Sequence, residues 1–173
     1  DILFLPNPHE PIENIFSLEE INLIMIKAKQ FDILVFIDEA YYMFGSPTAI
    51  HLISTYENLI VARTFSKGIG LPAIRLGYLI ANEKLITYLH SKRLSYEVNS
   101  LTIDIAMWTL DNLHIFEDYI EEVCESREWI KQQLHKFGYQ THGNQSNTML
   151  INLNSKEKAN NIIKQNLVIK KEV

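Results

Sequence analysis

The chain has 173 residues, of which 47% are hydrophobic and 21% are charged, with a formal net charge of −5. This composition is typical of a globular protein with one packed domain, or with one domain and part of another, and it excludes disordered and fibrous chains. The acidic balance provides no basic surface for nucleic acid or anionic lipid, so we expect neither nucleic-acid nor membrane partners.

The sequence also bears on the cellular compartment of the protein and on metal binding. No run reaches the ~18 apolar residues that span a bilayer, and no signal peptide opens the chain. The single cysteine, Cys124, excludes an intrachain disulfide and is expected to be a small core residue. A reducing, cytoplasmic setting fits this usage. The six histidines are scattered without ligand spacing, so no metal site is predicted.

The first part of the chain predicts a strand, a helix and a second strand. Residues 2–5 form an apolar run closed by prolines, which indicates a buried strand leading into a loop. Ser17 and Glu20 have the spacing of a capping box and predict a helix to about residue 30. Residues 33–37 are apolar on both faces, which favours a central parallel strand that ends at Asp38.

Two further strands of the same parallel kind are predicted at residues 59–62 and 78–81. The elements predicted after them are helices at 82–92, 101–110 and 116–137, a strand at 149–153, a helix at 156–165 and a strand at 167–170. This order predicts an α/β fold, a parallel-rich sheet flanked by helices, followed by the start of a small α+β domain. We expect residues 1–115 in the first domain and 116–173 in the second.

Side chains that could take part in binding or catalysis follow two of the predicted strands. Ligands of open parallel sheets bind beyond the carboxyl ends of the strands, and Asp38 and the segment 64–67 both lie at such ends. A carboxylate at that place needs a cation or hydrogen bonds, although capping of the next segment is the simpler interpretation of Asp38 alone.

The loop after residues 59–62 could hold a phosphate. Ser66 supplies a hydroxyl, Lys67 and Arg75 supply cations, and Gly68 and Gly70 allow the backbone to approach a ligand closely. For an isolated Ser–Lys pair, a surface loop with a solvated lysine would be the better interpretation.

The motifs occur together and in order: Asp38-Glu39-Ala40-Tyr41, then Ser66-Lys67, then Arg75-Leu76-Gly77-Tyr78. In this combination the chain resembles the fold type I pyridoxal-phosphate (PLP) dependent aminotransferases of class I/II. Segments 63–67 and 96–101 are most similar to the histidinol-phosphate aminotransferase branch. The resemblance covers essentially the whole chain. It implies an aspartate aminotransferase-like large domain and transfer of an amino group between an amino acid or amino-alcohol phosphate and a 2-oxo acid.

The resemblance also implies a role for each site residue. Lys67 would bind the cofactor covalently as a Schiff base and move the substrate proton. Asp38 would pair with the pyridinium nitrogen, and Tyr41 would donate its hydroxyl to the phenolic oxygen. Ser66 and Arg75 would bind the cofactor phosphate.

The loop around Glu10 departs from the family pattern. Asn7-Pro8-His9-Glu10-Pro11 lies where the family has Asn-Pro-x-Asn-Pro-Thr-Gly, so Glu10 occupies the position of an asparagine that donates to the phenolic oxygen of the cofactor. An ionised carboxylate cannot donate. Glu10 is therefore protonated, or turned away, or part of a site with different electronics. Catalysis by His9 is less favoured than a structural role in this loop.

Two alternatives stay open. Loops containing Asn-Pro-His also occur in carbon–sulfur lyases of this fold, so a related PLP lyase or decarboxylase is one. Family members are longer and form homodimers, so we expect a partial chain of a homodimeric protein, without the arginine that binds the substrate carboxylate. A catalytically incomplete fragment or a non-catalytic dimerising domain is the other alternative.

Overall fold

Four strands form the main sheet in the computed structural model, which describes residues 1–10 and 14–165. The strands are β1 (Ile2–Pro6), β2 (Leu34–Asp38), β3 (Leu59–Thr64) and β4 (Gly77–Ala81), and they lie in that order. The β1–β2 and β2–β3 pairs are parallel, with Pro6 opposite Asp38 and Asp38 opposite Ala62. The carboxyl ends of the first three strands therefore meet at one edge, as the sequence predicts.

The prediction that residues 78–81 form another parallel strand is wrong. Strand β4 runs antiparallel to β3, with Arg63 opposite Tyr78 and Thr64 opposite Gly77. The connection between them holds one short 3-10 helix, Pro72–Ile74, whereas a parallel crossover usually needs an α-helix. The apolar pattern of β4 is the same for a parallel and an antiparallel strand. The short connecting loop therefore determines the direction of β4. The sheet remains rich in parallel pairs.

The first helix, α1 (Leu18–Gln30), covers one face of this sheet. Its capping box is formed: Ser17 Oγ accepts from the Glu20 N–H at 3.2 Å, and the Glu20 carboxylate accepts from the Ser17 N–H at 2.8 Å. The apolar side of α1 packs on the sheet in a core made of Ile21, Met25, Ala28, Val35, Ile37, Ala49, Tyr56, Leu59 and Val61. This core fixes the strands that end at the predicted site.

The remaining helices are α2 (Glu83–Ser91), α3 (Ser100–Asp111), α4 (Glu117–Lys136) and α5 (Lys156–Lys164). A second apolar cluster, in which Phe65, Ile69 and Ala106 are buried, packs α3 against the loop that follows β3. Cys124 of α4 is expected to be a core residue but is only half-buried, because no residue of α4 is fully buried. No helix of the described residues is long and apolar enough to cross a membrane.

A separate two-stranded antiparallel sheet follows α4. It pairs β5 (Gln140–His142) with β6 (Leu150–Asn152). Strand β6 lies within the predicted segment 149–153, whereas β5 is too short and too polar to stand out in the sequence. The predicted strand at 167–170 lies outside the described residues.

Candidate active site

Asp38 and Lys67 lie at the same edge of the main sheet. Asp38 is the last residue of β2, and Lys67 lies just past the end of β3, which pairs with β2 in parallel. The exposed Asp38 side chain accepts a hydrogen bond from the Ala40 N–H at 2.9 Å, so the local capping interpretation of this residue holds. Because this bond uses only Oδ1, capping is compatible with a second partner at this carboxylate.

The Tyr41 ring lies beside the Lys67 ammonium group. The Lys67 ammonium nitrogen lies 5.0 Å from the centroid of the Tyr41 ring, and both side chains are half-buried. This distance is within the range of a cation–π interaction. The structure therefore brings together two residues to which the family resemblance gives neighbouring roles at one cofactor.

Arg75 has its hydrogen-bond partner within its own loop. Its side chain is exposed, its guanidinium donates to the Pro72 carbonyl at 2.9 Å, and its backbone has a left-handed φ of 52°. The half-buried Ser66 donates its backbone N–H to Thr64 Oγ1 at 3.1 Å. Ser66 thus lies beside Lys67, whereas the Arg75 guanidinium is engaged by its own loop.

Glu10 contacts the part of the chain that carries the small sheet. Its half-buried carboxylate accepts a hydrogen bond from the hydroxyl of Thr148, just before β6. His9 beside it is exposed, and its backbone N–H donates to the Asn14 carbonyl at 3.1 Å. In this arrangement both residues of the loop have structural partners.

Gly68 lies against the side chain of Met43. A Cβ atom added at Gly68 would lie 2.8 Å from both Cβ and Sδ of Met43, closer than such atoms approach. The loop that carries Lys67 is therefore pressed against the 3-10 helix Tyr42–Phe44, called here the 42–44 turn. Only a glycine fits at this contact without a shift of the loop or the turn.

A buried ion pair that the sequence did not predict lies beneath this edge. Glu39 is fully buried, and its carboxylate accepts from Arg63 Nε at 3.1 Å and Nη2 at 2.9 Å. The Thr48 hydroxyl at 2.8 Å and the Ala49 N–H at 2.6 Å donate to the same carboxylate. The available signal was an acidic residue and an arginine next to the ends of two adjacent apolar strands.

The Arg63 guanidinium also stacks on Tyr42, with Cζ 3.6 Å from the ring centroid. Burial, together with the nearby Tyr78, raises the pKa of Tyr42 to about 12. Burial alone would lower the pKa of Arg63, but the Tyr42 and Glu39 partners outweigh it and raise that pKa. Tyr42 on one side and Glu39 on the other thus stabilise the charged form of Arg63.

The family described as Aminotransferase class I and II matches residues 1–173. The chain belongs to this family. It is 36% identical over 165 residues to the histidinol-phosphate aminotransferase of Thermotoga neapolitana, which covers 95% of this chain and 48% of that protein. The chain therefore spans about half the length of the curated relatives it matches.

Solved structures show the same fold. The histidinol-phosphate aminotransferase of Clostridium acetobutylicum matches with a TM-score of 0.84 and 23% identity, covering 96% of this chain and 52% of that one. The enzyme of Sinorhizobium meliloti, solved in complex with pyridoxal-5'-phosphate, matches with a TM-score of 0.79 and 20% identity, covering 96% and 46%. The predicted resemblance and the parallel-rich α/β fold are confirmed, and the relatives do not favour the lyase or decarboxylase alternative. Enzymes of this family depend on PLP.

Proposed function

We propose that this chain is part of a PLP-dependent aminotransferase of the histidinol-phosphate type. The reaction would transfer an amino group between an amino acid or amino-alcohol phosphate and a 2-oxo acid. The observation that carries the proposal is the placement of the Lys67 ammonium against the Tyr41 ring, at the strand edge where Asp38 ends β2.

The residues at this edge fit PLP chemically. Lys67 offers a primary amine to an aldehyde carbon, Asp38 offers a carboxylate to a ring N–H, and Tyr41 offers a hydroxyl to a phenolic oxygen. The half-buried position of Lys67 and Tyr41 reduces their contact with water, which strengthens polar interactions at this place. The group therefore supplies one donor or acceptor for each polar edge of the ring.

When bound, PLP supplies an electron sink for the bonds of the substrate α-carbon. The chain would supply the rest. In its neutral form the Lys67 amine would take a proton from that carbon and, as the ammonium so formed, return it, which is the role of a general base and then a general acid. Asp38 would hold the proton on the ring nitrogen, and Tyr41 would orient the ring by its hydroxyl.

Phosphate binding by Ser66 and Arg75 is the second element of the proposal. Ser66 precedes Lys67 directly, so a phosphate held by its hydroxyl would lie on the same loop as the covalent link. Arg75 would exchange its Pro72 carbonyl contact for the phosphate, because a charged pair is stronger than a bond to a neutral carbonyl. Glu10 remains a candidate cofactor neighbour that competes with its Thr148 contact.

We also propose the wider organisation that the family pattern implies. Residues 1–115 would belong to the PLP-binding large domain and 116–173 to the small domain, which the two separate sheets support. The protein would be a cytoplasmic homodimer that binds no nucleic acid, with a small-molecule amino donor and a 2-oxo acid as substrates. The single cysteine supports the cytoplasmic setting, and the acidic charge supports the absence of nucleic-acid binding.

The cofactor proposal is tested by absorption spectroscopy. We expect the purified protein to develop a visible band with PLP, Lys67→Ala to lose it, and the control Lys84→Ala to keep it, since the Lys84 side chain is 81% exposed. A band that survives Lys67→Ala would overturn the assignment. With a panel of amino acids, an aminotransferase yields a 2-oxo acid and the amine form of the cofactor, whereas a lyase releases ammonia.

A further inference from the structure

The buried pair of Glu39 and Arg63 has a place that stability alone does not explain. Glu39 directly follows Asp38, and Arg63 precedes the segment that carries Lys67. Burying two charges is costly, and a well-packed apolar pair is often as stable as an ion pair. What an ion pair adds is a fixed geometry, here between the ends of β2 and β3.

The ion pair contacts the 42–44 turn and thereby restricts its position. The Arg63 guanidinium stacks on Tyr42 at 3.6 Å, so the first residue of the turn rests on the buried cation. The middle residue, Met43, is in close contact with Gly68. The turn is therefore held between the ion pair on one side and the loop of Lys67 on the other.

Tyr41 directly precedes the turn and depends on it. Its ring lies 6.4 Å from the ring of Phe44, the last residue of the turn, and 5.0 Å from the Lys67 ammonium. A shift of the turn would move the Tyr41 ring relative to Lys67, because Tyr41 and the turn belong to one short stretch of backbone.

We propose that Glu39, Arg63 and Tyr42 are positioning residues that hold the Tyr41 ring against Lys67. The stack from the ion pair through the 42–44 turn sets the access and the environment of the lysine amine. The catalytic value of this arrangement rests on the function proposed above. The positioning itself exists without cofactor and is measured without it.

The test is the acylation rate of individual lysines in the cofactor-free protein, read by peptide mass spectrometry. Arg63→Lys keeps the charge but loses the forked pair and the planar stack, and Tyr42→Leu removes the stacking ring but leaves the ion pair intact. We expect acylation of Lys67 to rise about two- to fivefold in both variants, the factor that corresponds to loss of one modest cation–π contact. The exposed Lys84 reports the intrinsic reactivity and should not change.

Ile21→Val is the matched control, because it removes one methyl group from the buried side of α1 and lies in neither the ion pair nor the 42–44 turn. If Ile21→Val accelerates acylation as much as Tyr42→Leu, the effect is general loosening and the proposal is wrong. The proposal also fails if Lys67 reacts at the wild-type rate in both stack variants while their circular dichroism stays native.

A cofactor readout separates this proposal from the proposed function. With PLP bound, the pH midpoint of the lysine-dependent band should shift in Arg63→Lys and stay at the wild-type value in Ile21→Val. A midpoint unchanged in Arg63→Lys would contradict positioning. Absence of any band in the wild-type protein would overturn the proposed function, whereas the acylation rates would still decide the positioning.

Discussion

The Thr148 hydroxyl donates a hydrogen bond to the Glu10 carboxylate across 138 residues of sequence. The bond joins the loop after β1 to the segment that precedes β6. Glu10 occupies the position where the family pattern has an asparagine facing the cofactor, so its partner in this structure bears directly on the site. A carboxylate engaged by Thr148 is directed to the small-sheet part of the chain.

The Glu10–Thr148 bond should be measurable as a coupling energy. Thr148→Val removes the donor with little change in shape, together with the 3.0 Å contact of this hydroxyl with Ser146 Oγ. We expect the free energy of unfolding to fall by about 0.5–1.5 kcal/mol for the bond to Glu10. Urea unfolding of Thr148→Val, Glu10→Gln and the double variant gives the coupling. Thr87→Val, at an exposed threonine of α2, is the control. Purely additive effects would show that the bond does not form in solution.

Gly68→Ala should destabilise the protein through one contact. The new Cβ would meet Met43 Cβ and Sδ at 2.8 Å, so the loop or the turn must shift. Overpacking of this kind costs about 1–3 kcal/mol in the free energy of unfolding. Adding Met43→Ala should recover part of the loss, because it removes Sδ but keeps Cβ. A double variant as unstable as the sum of the two single variants would contradict the contact.

The sequence predicts those features whose signal is local. The Ser17–Glu20 capping box marks the start of α1, and the ends of two apolar strands, at Asp38 and at 64–67, predict that Asp38 and Lys67 share one edge. Each signal is carried by neighbouring residues or by a strand end. The interactions at this edge then depend on how the strands pair.

The features that the sequence did not predict depend on pairing between residues that are far apart in the sequence. Glu39 and Arg63 are 24 residues apart, and their ion pair exists only because β2 and β3 pair in this register. The direction of β4 escaped for the same reason, since its alternation of apolar residues does not depend on the direction of its neighbour. Long-range register, not residue type, is what the sequence pattern lacks.

Tyr42→Phe should change how stability depends on alkaline pH. In the folded protein the pKa of Tyr42 is raised to about 12 from its usual 10.0, so the neutral hydroxyl is favoured. The stabilisation is fully present below pH 10.0 and is lost as the pH rises through about 12, where the folded hydroxyl also ionises. Tyr42→Phe lacks this loss.

The measurement is urea unfolding of wild type and Tyr42→Phe at pH values from about 9, below the usual pKa of tyrosine, to about 11.5, between the usual and the folded pKa. The wild-type free energy should fall more steeply with pH. Tyr88→Phe is the control, because Tyr88 is 60% exposed. Parallel curves for wild type and Tyr42→Phe would show that Tyr42 titrates like an exposed tyrosine.

Asn7 anchors the loop that carries Glu10, and its replacement should loosen that loop. The side chain is fully buried; Oδ1 accepts from the Phe16 N–H at 2.9 Å and Nδ2 donates to the Phe16 carbonyl at 3.3 Å. Its backbone N–H donates to the Asp38 carbonyl at 2.8 Å, which ties the loop to the site edge. Asn7→Ala leaves two backbone groups of Phe16 unpaired and should cost about 1–3 kcal/mol in the free energy of unfolding.

Asn7→Asp separates the donor from the acceptor at the same position. At neutral pH the carboxylate still accepts from the Phe16 N–H but faces the Phe16 carbonyl without a proton, so its folded pKa should lie above the unfolded value. Stability of this variant should therefore be fully present below the unfolded pKa of about 3.9 and fall as the pH rises through the higher folded pKa. Urea unfolding between about pH 4 and 7 measures this slope. Asn14→Asp, at an exposed asparagine, should show no such slope, and an equal slope in both variants would remove the anchoring role from Asn7.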